Sequence, residues 1–237
     1  MKGYVRMNKE DKAIKENLLN ELLSLEGNHK TEKIAELKEK FLKHISKNEY
    51  TMMDDELQDG LRIIKLYEEE AKHNDFNKLC KIANPVLYRL VSLDNWNARD
   101  LEFLSVVISY TETVDQAQIL FRKAFKELEK YESFSEWNSN TKASIYNSFS
   151  VRLFRMNSFE IPKYTDLFEQ TIKDALNFFE KNNFKLHKSL MLITKGVFFD
   201  DKNSIDEGLS KLKESGEHKA YEIMLQTIEY YKKRREI

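Results

Sequence analysis

Five histidines (His29, His44, His73, His187 and His218) and a single cysteine, Cys80, are the side chains best suited to holding a metal or attacking a substrate. No two histidines stand four residues apart, and neither HExxH nor CxxC occurs. The spacings that put two imidazoles or two thiolates on one metal are therefore missing, and neither metal nor cofactor is expected. Cys80 lies among Leu79, Ile82 and Leu87, the setting of a buried, inert thiol. A lone cysteine excludes an internal disulfide framework and fits a reducing compartment. The carboxylate pairs Asp54-Asp55 and Asp200-Asp201 sit at predicted helix ends, where capping explains them better than acid–base work. GxGxxG, GxxxxGK[ST] and GxSxG are absent, which removes phosphate cradles and nucleophile elbows. The chain is not expected to be an enzyme.

Recognition chemistry is better represented. Asn147 and Arg152 interrupt an apolar stretch formed by Ile145, Phe149, Val151, Leu153 and Phe154. A carboxamide donates and accepts at once, which suits the backbone of a bound chain. A guanidinium takes a peptide carboxylate through two parallel bonds. The plainer reading of each is an ordinary exposed polar residue. The run Lys232-Lys233-Arg234-Arg235 fits the last turn of a helix, where cations oppose the macrodipole. With 39 basic against 40 acidic residues and a net charge of −1, the chain lacks the basic excess of a free-standing nucleic-acid binder.

The elements carrying these residues are helical. Only 6 of 237 residues are Gly and 2 are Pro, too few to turn a sandwich, a barrel or a doubly wound sheet. Apolar residues recur at helical spacing, as in Ile14, Leu18, Leu19, Leu22, Leu23 and Leu25, or Ile34, Leu37, Phe41, Leu42 and Ile45. Asn8 with Asp11 caps a first helix ending near Gly27-Asn28. Thr31 opens a second, stopped near Asn48. Asp54 or Asp55 starts a third, broken at His73-Asn74-Asp75. The fourth, 76–93, contains Pro85, which predicts a kink or break near Ala83-Asn84. Further helices are expected over 97–110, 113–131, 140–156, 162–180, 184–199, 204–214 and 217–233, about eleven in all, with a longer connection at 157–161. No run of 18 apolar residues occurs. The start, MKGYVRMNKEDK, lacks the apolar region of a signal peptide. A soluble cytoplasmic protein is expected.

Two segments match the tetratricopeptide pattern, a unit of roughly 34 residues with small side chains where its two helices cross. In 98–131 the signature positions are Leu101, Leu104, Ser105, Ile108, Ala117, Phe121 and Ala124. In 189–222 they are Leu192, Lys195, Gly196, Phe199, Gly208, Leu212 and Ser215, with Lys195 alone departing. Ser105, Ala117, Ala124, Gly196 and Gly208 are thus candidate packing residues that let helices approach closely. The pairs at 54–93 and 140–181 fit poorly. The expected fold is all-α: a degenerate tetratricopeptide-like right-handed superhelix of antiparallel helix pairs, 54–237, continuous with an N-terminal helical segment, 1–53. Such arrays carry a concave groove for extended peptides. The groove positions of the 98–131 unit place Arg99, Glu102 and Tyr110 beside Asn147 and Arg152 as candidate peptide-binding residues.

The second half also resembles the Rgg/GadR/MutR regulators. Leu93-Asp94-Asn95-Trp96 followed by Asp100-Leu101-Glu102-Phe103-Leu104 is similar to that family's I-x-x-W-x-x-x-E-L-x-L-F stretch. LMLITKGVFF over 190–199, then Gly208, Gly216, Tyr221 and Tyr230, resembles its tail. Asn97 replaces the Gly that commonly follows the Trp, and Ala98-Arg99 replaces an aromatic pair. The resemblance implies a cytoplasmic transcription regulator of the quorum-sensing kind. Its tetratricopeptide-like domain would bind a short signalling peptide and form a homodimer. DNA would be met only through a helix-turn-helix domain that 8–47 does not supply. The alternative is a generic tetratricopeptide-like adaptor for other proteins, without a DNA-linked role.

Overall fold

The computed structural model describes residues 7–25, 31–47, 49–72, 75–156 and 160–235, the last four as backbone only. The expected breaks at Gly27-Asn28, Asn48 and His73-Asn74, most of the 157–161 connection, His29 and His73, and the side chains of 232–235 lie outside the described residues. Every regular element among the described residues is a helix: α1 (Lys9–Leu23), α2 (Thr31–Ile45), α3 (Glu49–Met52), α4 (Asp55–Lys72), α5 (Phe76–Ser92), α6 (Ala98–Val107), α7 (Val114–Leu128), α8 (Ser135–Phe154), α9 (Ile161–Lys181), α10 (Lys185–Phe199), α11 (Lys202–Glu214) and α12 (His218–Arg235). Single tight turns, Ile108–Tyr110 and Glu129–Tyr131, prolong α6 and α7.

Capping sets many of the starts. Asn8 accepts from the Asp11 amide at the head of α1, and Asp75 accepts from the Asn77 and Lys78 amides at the head of α5. Asn97 and Asp100 form a reciprocal capping box on α6. Helix α5 runs unbroken through Pro85, so of the kink or break expected there the break does not occur. Pro85 and Lys81, whose carbonyl loses its amide partner, are both exposed. Water can therefore meet the freed carbonyl there. The one-turn α3 and the five extra residues at the start of α8 are additions to the expected elements.

The chain divides into two compact units, Met1–Thr113 and Val114–Ile237. In the first, α1 packs on α2 and α4, α2 on α4, α4 on α5 and α6, and α5 on α6. In the second, α7 packs on α8, α8 on α9 and α10, α9 on α10, α10 on α11 and α12, and α11 on α12. Each unit thus contains a stacked row whose members touch in turn: α1–α4–α6 in the first and α8–α10–α12 in the second. The 98–131 segment has its first helix in one unit and its second in the other.

Close approaches fall on glycines. A Cβ on Gly196 would stand 2.7 Å from the Asp201 carbonyl and 2.8 Å from the Ile205 amide nitrogen. One on Gly208 would stand 2.7 Å from the Ser189 carbonyl. These two residues bring α10 and α11 together backbone to backbone, and Asp200 reverses the chain between them in a left-handed conformation, φ 56°. In the first unit, a Cβ on Gly60 would meet the Phe41 ring at 2.6 Å, so α4 seats Phe41 of α2 at that point. Ser105, Ala117 and Ala124 are buried small residues in their own units.

Candidate functional site

The stacked row of the first unit is closed by its own charges. Lys15 of α1 pairs with Asp54 at 2.8 Å and Glu56 at 2.7 Å, and the Asn97 carboxamide donates to Glu56. Arg99 reaches Glu16 at 2.9 Å, Asn20 at 3.0 Å and Glu102 at 2.8 Å. Deeper in, Arg89 of α5 bridges Asp59 of α4 and Asp100 of α6, and Arg62 adds a second cation to Asp59. Asp59 is fully buried. Burial raises its pKa above the usual carboxylate value, against the pull of Arg89 and Arg62. Burial works against the charge on Arg89 as well, but its bonds to Asp59 and Asp100 outweigh that and raise its pKa. The Tyr110 hydroxyl donates to Glu70 at 2.7 Å. Trp96 of the family-like stretch is buried and donates from its indole to the Leu90 carbonyl at 2.8 Å, closing the corner between α5 and α6.

The second unit is built on aromatics. Phe121 of α7 stacks on Phe149 of α8 with ring centroids 4.2 Å apart. Tyr146 stands edge-on to Phe121 and Phe125, and it also meets Phe178 and Phe179 of α9. Burial pushes the Tyr146 phenol up to about 12. His187 lies 5.5 Å from Phe179 and 5.4 Å from Phe184, and burial lowers its pKa. It is therefore a neutral member of the aromatic layer at neutral pH. At the far end of α8, Phe154 meets Tyr231 of α12 at 4.1 Å.

Helix α8 departs from its surroundings. Nine of its 20 residues are Ser, Thr or Asn, yet it packs against α7, α9 and α10. A helix surrounded to that extent is ordinarily apolar on most sides. Some of the polar groups are used inside the unit. Asn138 donates to the Leu128 carbonyl at 2.6 Å and secures the end of α7. Others are not. Asn140, Ser144, Asn147, Ser148 and Val151 follow helical spacing along one face. Ser144, Asn147 and Ser148 are half-buried, and Asn140 and Val151 are exposed. None of the four polar side chains has a hydrogen-bond partner among the described residues. Neighbouring helices behave differently: Thr165, Thr171, Ser189 and Thr194 each donate to the carbonyl four residues back.

The five candidate peptide-binding residues separate accordingly. Arg99 and Glu102 are paired with each other, and Arg99 also with α1. Tyr110 is buried and bonded to Glu70. Arg152, 2% exposed, is the largest fully buried side chain and faces Glu160 at 3.8 Å. Asn147 alone combines partial exposure with an uncommitted polar group. Its row-mates Asn140, Ser144 and Ser148 carry no sequence signal of their own, because polar residues occur all round α8. Lys195, the one departure in the 189–222 pattern, sends its ammonium to Asp201 at 3.6 Å and Ser204 at 3.3 Å, at the connection between α10 and α11.

Among the described residues no group of His, Cys, Asp and Glu is arranged to hold a metal ion, and no helix is long and apolar enough to cross a membrane. No protein-family model matches the chain, and neither does any curated protein or solved structure.

Proposed function

We propose that this chain is a regulatory, peptide-sensing and dimerising domain of the Rgg type, in which a short peptide lies along the stacked row α8–α10–α12. One observation carries the reading: a face of α8 with four polar side chains that no described residue engages, on the side of the helix away from Tyr146 and Phe149. Hydroxyls and carboxamides supply both donors and acceptors to an extended backbone, and exposed Val151 offers an apolar contact beside them. The packing order supports a degenerate tetratricopeptide-like array, because α4, α8 and α10 each touch their own partner, the preceding partner and the next row helix. The near-neutral charge suits a sensor that reaches DNA through a separate helix-turn-helix domain.

Thermal unfolding of the full chain against a library of short hydrophobic peptides, read beside light scattering, tests the proposal. A peptide-induced rise in Tm and a dimeric mass are expected. No shift with any peptide together with a monomeric mass would overturn it and leave the adaptor reading in its place.

A further inference from the structure

The corner between α7 and α8 presents an unpacked ring beside unused charge. Phe134 is 63% exposed and meets no other ring among the described residues. In sequence it lies midway between the half-buried Tyr131 and Trp137, whose rings meet edge to face with centroids 5.2 Å apart. The corner is held firmly. The Phe134 amide donates to the Tyr131 carbonyl at 3.0 Å, and Asn138 ties α8 to the Leu128 carbonyl. Glu129, Glu132 and Glu136 are exposed, and none has a hydrogen-bond or ion-pair partner among the described residues. Lys130, the one cation between Glu127 and Trp137, pairs with Glu127 at 2.6 Å. Glu136 in the first turn of α8 suits the helix dipole. Glu129 and Glu132 follow the C-terminal end of α7, where carbonyl groups disfavour an anion. An exposed ring beside carboxylates set against the dipole is a surface for cations from outside the corner.

The sequence holds a single run of four consecutive cations, Lys232-Lys233-Arg234-Arg235. The same copy cannot bring this run to the corner, because α8 lies between them. The corner precedes Ser135, whereas Phe154 at the other end of α8 meets Tyr231, the residue before the run, at 4.1 Å. The 20 residues of α8 span about 30 Å, and the run, which continues α12 as helix to Arg235, advances it by only about 6 Å. A second copy meets no such limit. We infer that the 129–137 corner is a docking surface for a second copy of this chain, whose 232–235 run lies over Phe134 and pairs with Glu129, Glu132 and Glu136. Ammonium and guanidinium groups are attracted both to a ring face and to carboxylates. A two-fold pairing makes the contact twice, since each copy offers a corner and a run. The inference rests on the dimerising part of the proposed function and gives it an interface, and it uses none of the polar residues between 140 and 151.

Sedimentation equilibrium of the full chain at low and high salt tests the inference with two charge-reversed variants. The corner variant carries Glu129→Lys, Glu132→Lys and Glu136→Lys. The run variant carries Lys232→Glu, Lys233→Glu, Arg234→Glu and Arg235→Glu. Each should weaken self-association by about tenfold or more. An equimolar mixture of the two should recover it, because opposite charges then meet at both contacts. Phe134→Ala should weaken the wild-type dimer about threefold, and added salt should weaken it too. The substituted corner residues are exposed, so folding should survive, and the Tm of each variant checks this. Glu→Gln at the same three positions, which introduces no new charge, keeps the test open if a reversal unfolds the chain. A monomeric wild type at every concentration would overturn the inference. So would a mixture that stays monomeric, or a dimer that neither folded variant weakens. That last result would remove this interface alone and leave the dimerising reading standing.

Discussion

The rows α1–α4–α6 and α8–α10–α12 are both stacked helices, yet they treat their polar residues in opposite ways. In the first, charge meets charge: Lys15 with Asp54 and Glu56, Arg99 with Glu16 and Glu102, Arg89 with Asp59 and Asp100. In the second, Asn140, Ser144, Asn147 and Ser148 lie along one face without a described partner, on a helix whose other side carries the packed rings of Tyr146 and Phe149. A surface that satisfies itself has little to offer a ligand, because binding must first break what is already made. A surface of unused donors and acceptors carries no such cost. The same architecture therefore supports a braced half and, on the proposed reading, a receptive one.

The largest effect should come from breaking the brace. Arg89→Met leaves Asp59 and Asp100 facing each other in a buried space without their shared cation, and should cost about 3–5 kcal/mol in chemical denaturation. A loss below about 1 kcal/mol would show that the pairing is incidental. Next comes the close contact in the receptive half. Gly196→Ala pushes a methyl against backbone atoms of Asp201 and Ile205, and should cost about 1–3 kcal/mol. Wild-type stability in this variant would mean that α10 and α11 separate without penalty.

Acid should act on the two halves with opposite sign. The hydroxyl and amide of Ser204 hold the Asp201 carboxyl below its usual range, and the Tyr164 hydroxyl and Lys163 do the same for Asp115. Their contributions are complete above the unfolded value of 3.8 and are lost as pH falls through the depressed values. Asp59 is raised by burial, so its contribution favours the acid side and is lost as pH rises from 3.8 through the raised value. In urea unfolding followed from neutral pH downward, wild type should gain stability relative to Asp59→Asn, and lose it relative to Asp201→Asn. Parallel curves for all three proteins would remove the electrostatic contrast. The smallest effect on stability belongs to Asn147→Ala. It should change the unfolding free energy by less than about 0.5 kcal/mol, because the carboxamide has no partner to lose among the described residues.

Local signals in the sequence reached the local structure well. Asn8 with Asp11, Asp75 and Asn97 mark helix starts because a cap is decided within three residues. Gly196 and Gly208 mark a close crossing because so little else explains a glycine inside a helix. The candidate site was less legible. Arg99 looks available until Glu16, 83 residues earlier, comes within 2.9 Å, and no short-range pattern encodes that meeting. Arg152 and Tyr110 sit on helical faces that turn inward, which a polar residue type does not announce. In α8 the polar and apolar residues are hardly segregated by angle, so periodicity names neither its buried side nor its open one. Pro85 predicts a kink or break by its usual effect on a helix interior, whereas an exposed face tolerates it.

Amide hydrogen exchange with and without the peptide giving the largest thermal shift tests the division most directly. The account predicts slowed exchange concentrated in α8 between 140 and 151, unchanged exchange in α1, α4 and α6, and loss of the α8 protection in Asn147→Ala. Protection centred on α1, α4 and α6, or protection of α8 that persists undiminished in Asn147→Ala, would contradict it.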